Sequence, residues 1–454
     1  MPASLALFRR ERIHVAMVMT VESRCRRNGL AWYRPLLLTA CGVGLAFATA
    51  ATSAHGMDHM DMDHVDHRGQ TQALSAECLA NPVRVACAPT ATAAFDSKGR
   101  LWLVWAVDGH VYVQRSADRG ERFSAPVAVN ATAEPMEAGG ASGELRPQIA
   151  VDAAGTVYVA WTRKLSKRYS GEIRFSRSDD GGRHFSPPVT VNDDRTVTSH
   201  AFVVLGIGAG DRVYLAWLDG RDRLAAEAAG RPDAGSALYY AVSRDGGRSF
   251  QPNRRLAAAT CECCRIALAM DPVGRPVLLW RGIYGDQIRD HSLIAFQDAD
   301  TPGPIRRVSH DGWRIDACPH HGPGLAVAED GVIHAAWFDN APERHGLFYA
   351  RSPDRGAHFS VPMPFGDYDR QAGHPSVLAV GKRVYLAWQE FDGERTYIRY
   401  RRSDDGGRSW TEARQAASTS GWADHPFLVS DGTGIYLSWL TRAEGYRLLG
   451  LEPR

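Results

Sequence analysis

A tryptophan that closes a short apolar strand recurs seven times along the chain, and this repeat constrains the fold more than any other feature. The copies lie 51 to 63 residues apart and end at Trp105, Trp161, Trp217, Trp280, Trp337, Trp388 and Trp439. Repeats of this length with several short strands each are typical of β-propellers. The sequence therefore predicts an all-β fold, a seven-bladed β-propeller domain over residues 77–454.

Each repeat shows the same order of four strands, seen best from residue 146 in RPQIAVD, TVYVAW, EIRFSRS and PPVTVN. Val, Ile and Tyr alternate with polar residues, and Gly or Asp marks the breaks, which indicates antiparallel strands. The last repeat ends after its third strand, whereas NPVRVA at about 81–86 matches the fourth-strand segments. We predict four-stranded antiparallel blades, with this N-terminal strand completing the last blade and closing the ring.

A second repeat marks the turn between the third and fourth strands. Its five copies are SADRGERF, SDDGGRHF, SRDGGRSF, SPDRGAHF and SDDGGRSW, which begin at Ser116, Ser178, Ser243, Ser352 and Ser403. In each copy the Asp can cap backbone amides while glycine supplies the turn, so we interpret these turns as structural. They resemble the Asp boxes (BNR repeats) of the sialidase superfamily, and the resemblance covers about residues 80–454.

The resemblance implies a propeller fold and, for an active sialidase, a defined set of catalytic residues. That set contains an Arg-Ile-Pro motif in the first strand, two further arginines for the substrate carboxylate, a Tyr/Glu nucleophile pair and an acid/base Asp. Here the first inner strand reads APTATAAFD without arginine, and Arg146 is the nearest look-alike. We therefore assign no catalytic residues and prefer a non-enzymatic role, with a sialidase-like exo-glycosidase as an alternative.

The first 54 residues read as a signal peptide. Arg24, Arg26, Arg27 and Arg34 precede the apolar run LLLTACGVGLAFATAATSA, which ends in small residues. We expect export to the periplasm, with secretion or lipid anchoring as alternatives, and no membrane span after cleavage. The formal net charge of +2 is too small to indicate nucleic acid as a partner.

A Met/His-rich tail is predicted to follow, over residues 55–76. It begins HGMDHMDMDHVDH and offers metal-capturing side chains at His55, Met57, His59, Met60, Met62, His64 and His67. Thioethers favour Cu(I), and imidazoles bind both copper oxidation states. The alternatives are a solvated linker and a tail that binds zinc or nickel without specificity.

Four cysteines and several histidines cluster at the predicted starts of the inner strands, which are the first strands of the blades. These starts meet at one mouth of the tunnel of a propeller. The predicted metal ligands there are Cys261, Cys263, Cys264, Cys318, His320, His321, His200, His374 and His425. Mixed thiolate and imidazole ligands favour copper, as Cu(I) or Cu(II), with zinc as an alternative.

Disulfides compete with this interpretation, because an exported protein folds in an oxidising compartment. Cys78 and Cys87 are expected to pair, and Cys261 or Cys263 has Cys318 as an alternative partner. Adjacent cysteines such as Cys263 and Cys264 do not easily bond each other. The sequence thus favours a copper-binding propeller in periplasmic acquisition, storage or delivery, partnered by an outer-membrane transporter or another periplasmic metal carrier. The remaining alternative is a disulfide-stabilised propeller that binds protein or glycan.

Overall fold

The blades of the predicted propeller are present as seven antiparallel sheets. A computed structural model of the chain describes residues 76–140, 143–232, 235–317 and 319–452, and all seven sheets lie within these ranges. Six sheets have four strands and the seventh has three, and neighbouring strands in each sheet follow one another in the chain. The prediction of a seven-bladed propeller is therefore confirmed.

Each sheet is a meander of consecutive strands, numbered here from the N-terminus. Blades 1 to 3 contain β1 (Ala91–Phe95), β2 (Leu101–Val107), β3 (His110–Ser116), β4 (Val127–Ala128); β5 (Gln148–Val151), β6 (Val157–Lys164), β7 (Gly171–Ser178), β8 (Val189–Thr190); and β9 (His200–Ile207), β10 (Val213–Asp219), β11 (Ser236–Ser243), β12 (Arg254–Thr260).

Blades 4 to 7 continue the same pattern. They contain β13 (Ala267–Met270), β14 (Pro276–Arg281), β15 (His291–Ala295), β16 (Arg306–Arg307); β17 (Gly324–Val327), β18 (Ile333–Ala341), β19 (Arg344–Ser352), β20 (Met363–Phe365); β21 (Gly373–Val380), β22 (Arg383–Phe391), β23 (Arg395–Ser403), β24 (Arg414–Ser420); and β25 (Phe427–Ser430), β26 (Ile435–Thr441), β27 (Gly445–Gly450). The helices are α1 (Ala76–Ala80), α2 (Arg221–Ala228) and the 3-10 turns Val85–Cys87 and Tyr368–Arg370.

The innermost strands pack against one another around the ring. β1, β5, β9, β13, β17, β21 and β25 contact each other in turn, and β25 contacts β1. Side-chain hydroxyls also cross between blades, because Thr92 Oγ1 donates to Pro147 O at 2.7 Å and Ser376 Oγ accepts from Leu428 N at 3.1 Å. The starts of these strands, which carry most of the predicted metal ligands, are thereby held around one opening.

The core consists of the faces between neighbouring blades. The seven repeat tryptophans lie in the second strands and are at most 2% exposed. Because a blade is covered on both faces, strands such as β2 and β10 are buried along most of their length rather than on alternate residues. Indole N–H groups are satisfied inside the protein, for example Trp217 Nε1, which donates to Asp219 Oδ2 at 2.8 Å.

The five predicted Asp-box turns share one hydrogen-bonding pattern. In blade 3, Ser243 Oγ donates to Asp245 Oδ1 at 2.7 Å and accepts from the amide of Gly247 at 2.8 Å. Gly247 has a positive φ of 79°, and a Cβ there would lie 2.7 Å from the Phe175 ring of the preceding blade. The turn therefore fixes both the hairpin and its contact with the neighbouring sheet, in agreement with a structural role.

The segment before β1 is the one predicted to close the ring. Residues 81–86 form turns and the beginning of the 3-10 turn, not a strand. The disulfide that joins Cys78 to Cys87, as predicted, confines the segment to a short loop. This loop lies against β27, and Val83 O accepts from Trp105 Nε1 of blade 1 at 3.0 Å. Ring closure by a strand here stays a prediction.

The predicted signal peptide at 1–54 and nearly all of the tail at 55–76 lie outside the described residues. Among the helices that are described, neither length nor apolarity suffices to cross a membrane.

The serine of an Asp-box turn offers a test of its structural role. Changing Ser243 to Ala leaves the buried amide of Gly247 without an acceptor, which we expect to lower the free energy of unfolding by about 1–3 kcal/mol. The matched control is Ser249→Ala in the same turn, where the serine is exposed and the expected loss is below about 0.5 kcal/mol. Urea unfolding midpoints of the two variants measure the difference, and equal midpoints would contradict the assigned role.

Candidate metal centre

The cysteine loop before β13 brings three sulfur atoms together. Cys261 Sγ lies 3.7 Å from Cys263 Sγ and 3.4 Å from Cys264 Sγ, and the three side chains are at most 6% exposed. These separations are too long for disulfides, which have S–S distances of about 2.05 Å. The amide of Cys261 donates to Arg281 O at 2.9 Å, which fixes the loop to the end of β14.

The three thiols do not have equal acidity. Hydrogen bonds from Cys263 and Cys264, helped by the positive charges of Arg289 and Arg281, hold the pKa of Cys261 well below its ordinary value. Burial raises the pKa of Cys264. One thiolate is therefore stabilised within the cluster, and the next proton is held more tightly because it would leave a second negative charge.

A second group of ligand atoms is formed by Glu144, His374 and His425. Their ligand atoms all lie within 4.8 Å of one another. The rings of His374 and His425 stack with centroids 3.5 Å apart and an interplanar angle of 17°. Both Nδ1 atoms lie 3.4 Å from Glu144 Oε1. Segments 281 residues apart in sequence thus meet at the tunnel mouth, as the repeat predicted for the two histidines.

Glu144 is a functional candidate that the sequence reasoning missed. Its Oε2 accepts from the Arg265 amide at 3.1 Å and lies 3.2 Å from Arg265 Nε, so Oε1 is directed at the histidines. Burial opposes its ionisation, but Arg265 and His374 hold the pKa of Glu144 below its ordinary value. The sequence did hold a signal for it. Blades 3 to 7 carry His or Cys at the start of the inner strand, and blade 2 instead carries Glu144, two residues before Arg146.

The two imidazoles of this group, His374 and His425, are each constrained by their surroundings. Burial, followed by the nearby His374 and Arg146, lowers the pKa of His425 well below its ordinary value. His374 has a positive φ of 52° at a bulge between β21 and β22. Bulges redirect side chains, and this one brings the His374 ring over that of His425.

The fifth inner strand contributes a third imidazole. His321 stacks on Phe338 with centroids 4.1 Å apart and lies 4.7 Å from the His374 ring, so it extends the histidine stack. His320, in the same segment, is half-buried with a positive φ of 50°. The predicted ligand Cys318 lies outside the described residues.

His200 is brought into a different group. Its Nδ1 lies 2.8 Å from Gly171 O and its Nε2 lies 2.9 Å from Asp194 Oδ1, with Asp219 Oδ1 at 3.6 Å. Both ring nitrogens therefore have partners in blades 2 and 3. Of the predicted ligands, Cys261, Cys263 and Cys264 form one cluster, and His321, His374 and His425 form another.

Arg146 turns inward instead of facing a ligand. Its guanidinium forms a buried ion pair with Asp424, and both side chains are 2% exposed. It also donates to the carbonyl of Gly143 at 2.8 Å and to that of Ala91 at 3.3 Å. Burial raises the pKa of Asp424, and the ion pair with Arg146 opposes that shift. Arg146, the nearest match to a carboxylate-binding arginine, therefore connects neighbouring blades.

One further acidic cluster was not predicted. Ligand oxygens of Asp290, Asp311 and Asp339 lie within 4.8 Å of one another at the edge of blades 4 and 5. Arg307 pairs with Asp290, and Arg344 pairs with Asp311 at 3.0 Å. Burial, with the adjacent Asp311, raises the pKa of Asp339 to about 7. Because arginines already pair with two of the three carboxylates, we interpret this cluster as structural.

Comparison with solved structures supports the fold, whereas comparisons of the sequence give no match. Neither a protein-family profile nor a curated protein matches the sequence. A polysaccharide lyase of family PL25, an ulvan lyase bound to a sulfated disaccharide unit, is similar in structure with a TM-score of 0.51 and 11% identity, over 79% of this chain and 93% of the lyase. At this identity the likeness shows a shared propeller fold and nothing further.

Structural neighbours also include sialidases. The Hadza microbial sialidase Hz136 has a TM-score of 0.42 and 15% identity, over 76% of this chain and 74% of that enzyme. The NanB sialidase of Streptococcus pneumoniae has a TM-score of 0.42 and 9% identity, over 66% of this chain and 65% of that enzyme.

The Arg146–Asp424 pair gives a test of how the mouth is held together. Asp424→Asn keeps the shape but leaves the Arg146 charge buried without a counter-ion, and we expect a loss of about 3–5 kcal/mol in the free energy of unfolding. Asp286→Asn is the control, since its pair with Arg314 is exposed and worth less than about 1 kcal/mol. Chemical denaturation measures both variants, and a D424N protein as stable as D286N would refute this role.

Proposed function

We propose that the protein is an exported metal-binding β-propeller that takes part in copper acquisition, storage or delivery in the periplasm. The observation that carries the proposal is the sulfur cluster of Cys261, Cys263 and Cys264. Three sulfurs in one buried loop are a donor set for a soft ion, and thiolates select Cu(I) above the other ions of the periplasm. Zinc is the alternative occupant.

The spacing of the sulfurs supports this chemistry. Four ligands bound to an ion by metal–sulfur bonds of about 2.3 Å are about 3.8 Å apart if they are tetrahedral. The Sγ separations of 3.7 and 3.4 Å are close to that value, so an ion needs only small rotations of the cysteine side chains. Binding would also release protons from the thiols, and the positive charge of the ion would then offset the repulsion between neighbouring thiolates.

The surroundings of the cluster exclude water from the sulfurs. The sulfurs are at most 6% exposed and pack among apolar residues of blades 3 and 4. Glu262, within the same loop, faces outward and pairs with Arg223 of α2 at 2.9 Å. A low-dielectric environment around thiolates strengthens their attraction to a cation, with Arg281 and Arg289 limiting the net negative charge.

The tail belongs to the same proposal. Its histidines and methionines offer weak, exchangeable ligands that would collect copper ions and pass them to the mouth of the propeller. An outer-membrane transporter or a second periplasmic carrier would accept the ion. Under this proposal the propeller is a holder of metal, and its Asp-box turns act only as structure.

A glycan-active enzyme is the second candidate, favoured by the fold that this chain shares with an ulvan lyase. Against it, Arg146 is buried in an ion pair and its side chain is 2% exposed, so it is not presented to a substrate carboxylate. Cleavage of ulvan or of a fluorogenic sialoside by the purified protein, lost on substitution of a tunnel-mouth carboxylate, would favour this candidate over metal storage.

Elemental analysis of the purified protein tests the proposal. We expect one tightly held copper ion per chain under reducing conditions, and Cys263→Ser with Cys264→Ser to weaken Cu(I) binding by more than about 100-fold in competition with a chromogenic chelator. Changing a neighbour of a ligand costs about 10–100-fold, and losing two ligands costs more. The control is Glu262→Gln, which alters the same loop but no sulfur. An unchanged Cu(I) affinity in the double variant would refute the sulfur site.

The tail is tested separately in the full chain. Alanine at His55, Met57, His59, Met60, Met62, His64 and His67 is expected to remove additional, weakly held copper while leaving the tight equivalent in place. Isothermal titration of the reduced protein distinguishes the two classes of site. Loss of the tight equivalent in the tail variant would instead assign the copper to the tail.

A further inference from the structure

The group formed by Glu144, His374 and His425 has features that the copper proposal does not use. It contains no sulfur, and its ligand atoms form a set distinct from that of the three cysteines. Arg265 connects the two groups. It directly follows Cys264, and its amide donates to Glu144 Oε2 at 3.1 Å.

Distances within the group match the edges of a coordination sphere better than hydrogen bonds. Each Nδ1 lies 3.4 Å from Glu144 Oε1, which is longer than the roughly 2.7–3.2 Å of ordinary N–H···O hydrogen bonds. Ligands on a tetrahedral ion with bonds of about 2.0–2.1 Å lie about 3.3–3.4 Å apart. An ion placed between these atoms would thus meet the carboxylate and one imidazole, and the second imidazole would join after rotation of its stacked ring brings its lone pair toward the ion.

Two of the polar atoms are buried without a short hydrogen bond. His425 is 6% exposed and Glu144 is 2% exposed, and apart from their mutual 3.4 Å contact His425 Nδ1 and Glu144 Oε1 make no short hydrogen bond. Leaving such a buried atom without a hydrogen bond is unfavourable. A cation bound to both atoms removes this cost at one point in space.

The rest of the structure fixes these atoms in place. Arg265 holds Glu144 by its other oxygen and donates to Pro323 O at 3.0 Å. The amide of His425 donates to Asp424 Oδ1 at 2.8 Å, so the Arg146–Asp424 pair anchors the histidine. Gly322 closes over the carboxylate, since a Cβ there would lie 2.6 Å from Glu144 Oε2. Metal ligands are commonly oriented by such neighbours.

We propose that Glu144, His374 and His425 bind a borderline divalent cation, Zn(II) or Cu(II), in a second site separate from the sulfur cluster. Two imidazole nitrogens and one carboxylate oxygen suit such ions, whereas Cu(I) prefers the thiolates. Three protein ligands leave the fourth position of a tetrahedral ion open to water or a small ligand. The proposal does not depend on copper at the cysteines, so the protein would hold two ions of different softness.

Cobalt(II) is the probe for this site, because it replaces zinc and its absorption reports the ligands. The starting protein is the full chain with alanine at the tail histidines and methionines and with C263S and C264S. We expect it to bind one equivalent of Co(II) with tetrahedral d–d bands and no sulfur-to-cobalt charge transfer. Adding Glu144→Gln or His425→Gln should weaken Co(II) binding by at least about 100-fold, since each removes a ligand.

Controls separate this outcome from misfolding and from the copper proposal. His184→Gln changes an exposed histidine in an Asp-box turn and should leave Co(II) binding intact. In the protein with its cysteines intact, H425Q should retain Cu(I), which also shows that this variant folds. As a second readout, Cu(II) electron paramagnetic resonance should show coupling to two nitrogens, reduced to one by H425Q.

The results that would overturn the second site are distinct from those that would overturn the first. No bound Co(II) in the cysteine variant, or unchanged affinity in both E144Q and H425Q, refutes the Glu144/His374/His425 site even if the cysteines bind copper. Co(II) binding that behaves as expected supports the second site even if the cysteines bind nothing.

Discussion

The buried ion pair between Arg146 and Asp424 joins the first, second and last blades at the mouth of the tunnel. Asp424 precedes β25, Arg146 precedes β5, and both bond to Ala91, the first residue of β1: Asp424 Oδ2 accepts from its amide at 3.2 Å and Arg146 donates to its carbonyl at 3.3 Å. A buried ion pair adds little net stability, but removal of one partner is costly. Its value here is that it fixes the point where the ring closes.

Both candidate ligand groups depend on that closure. Glu144 lies two residues before Arg146, and His425 directly follows Asp424, so the ion pair sets the separation of these two ligands. Glu144 in turn bonds to the amide of Arg265, which directly follows Cys264. A shift in the closing blades would therefore move the histidine group first and the cysteine loop through Arg265. The carboxylate that sequence reasoning overlooked is the link between the two groups.

Much of this fold was predictable because the determining contacts are repeated. Each blade buries one tryptophan on a strand covered from both sides, so the same short pattern had to recur seven times, and the convergence of inner-strand starts followed from the architecture. Local departures from the repeat were not predictable. At 81–86 the sequence matches the fourth-strand pattern, but these residues form turns that lead into the 3-10 turn Val85–Cys87 within the loop closed by the Cys78–Cys87 disulfide.

The site was predictable only as far as the repeat reaches. The positions of the inner-strand starts predicted which residues lie near one another, but not which side-chain atoms face one another. His200 has the same position in the repeat as His374, but its ring contacts Asp194 and Asp219 instead of the histidine group. Glu144 escaped because it lies in a connection between blades, where the repeat says nothing about direction. The bulge at His374, which directs that ring toward His425, leaves no pattern in the sequence.

Under the proposal of a second metal site, ion binding and ring closure are thermodynamically linked, because the three ligands come from separate blades. Glu144, His374 and His425 enter from the second, sixth and seventh blades, and an opened ring would disperse them. An ion at 1,000 times its dissociation constant then stabilises the closed ring by about 4 kcal/mol. The sulfur cluster differs, since its three cysteines lie within four residues and stay close together even in an opened ring. The two groups thus couple to the fold unequally, with the imidazole group as the one whose affinity reports the integrity of the propeller.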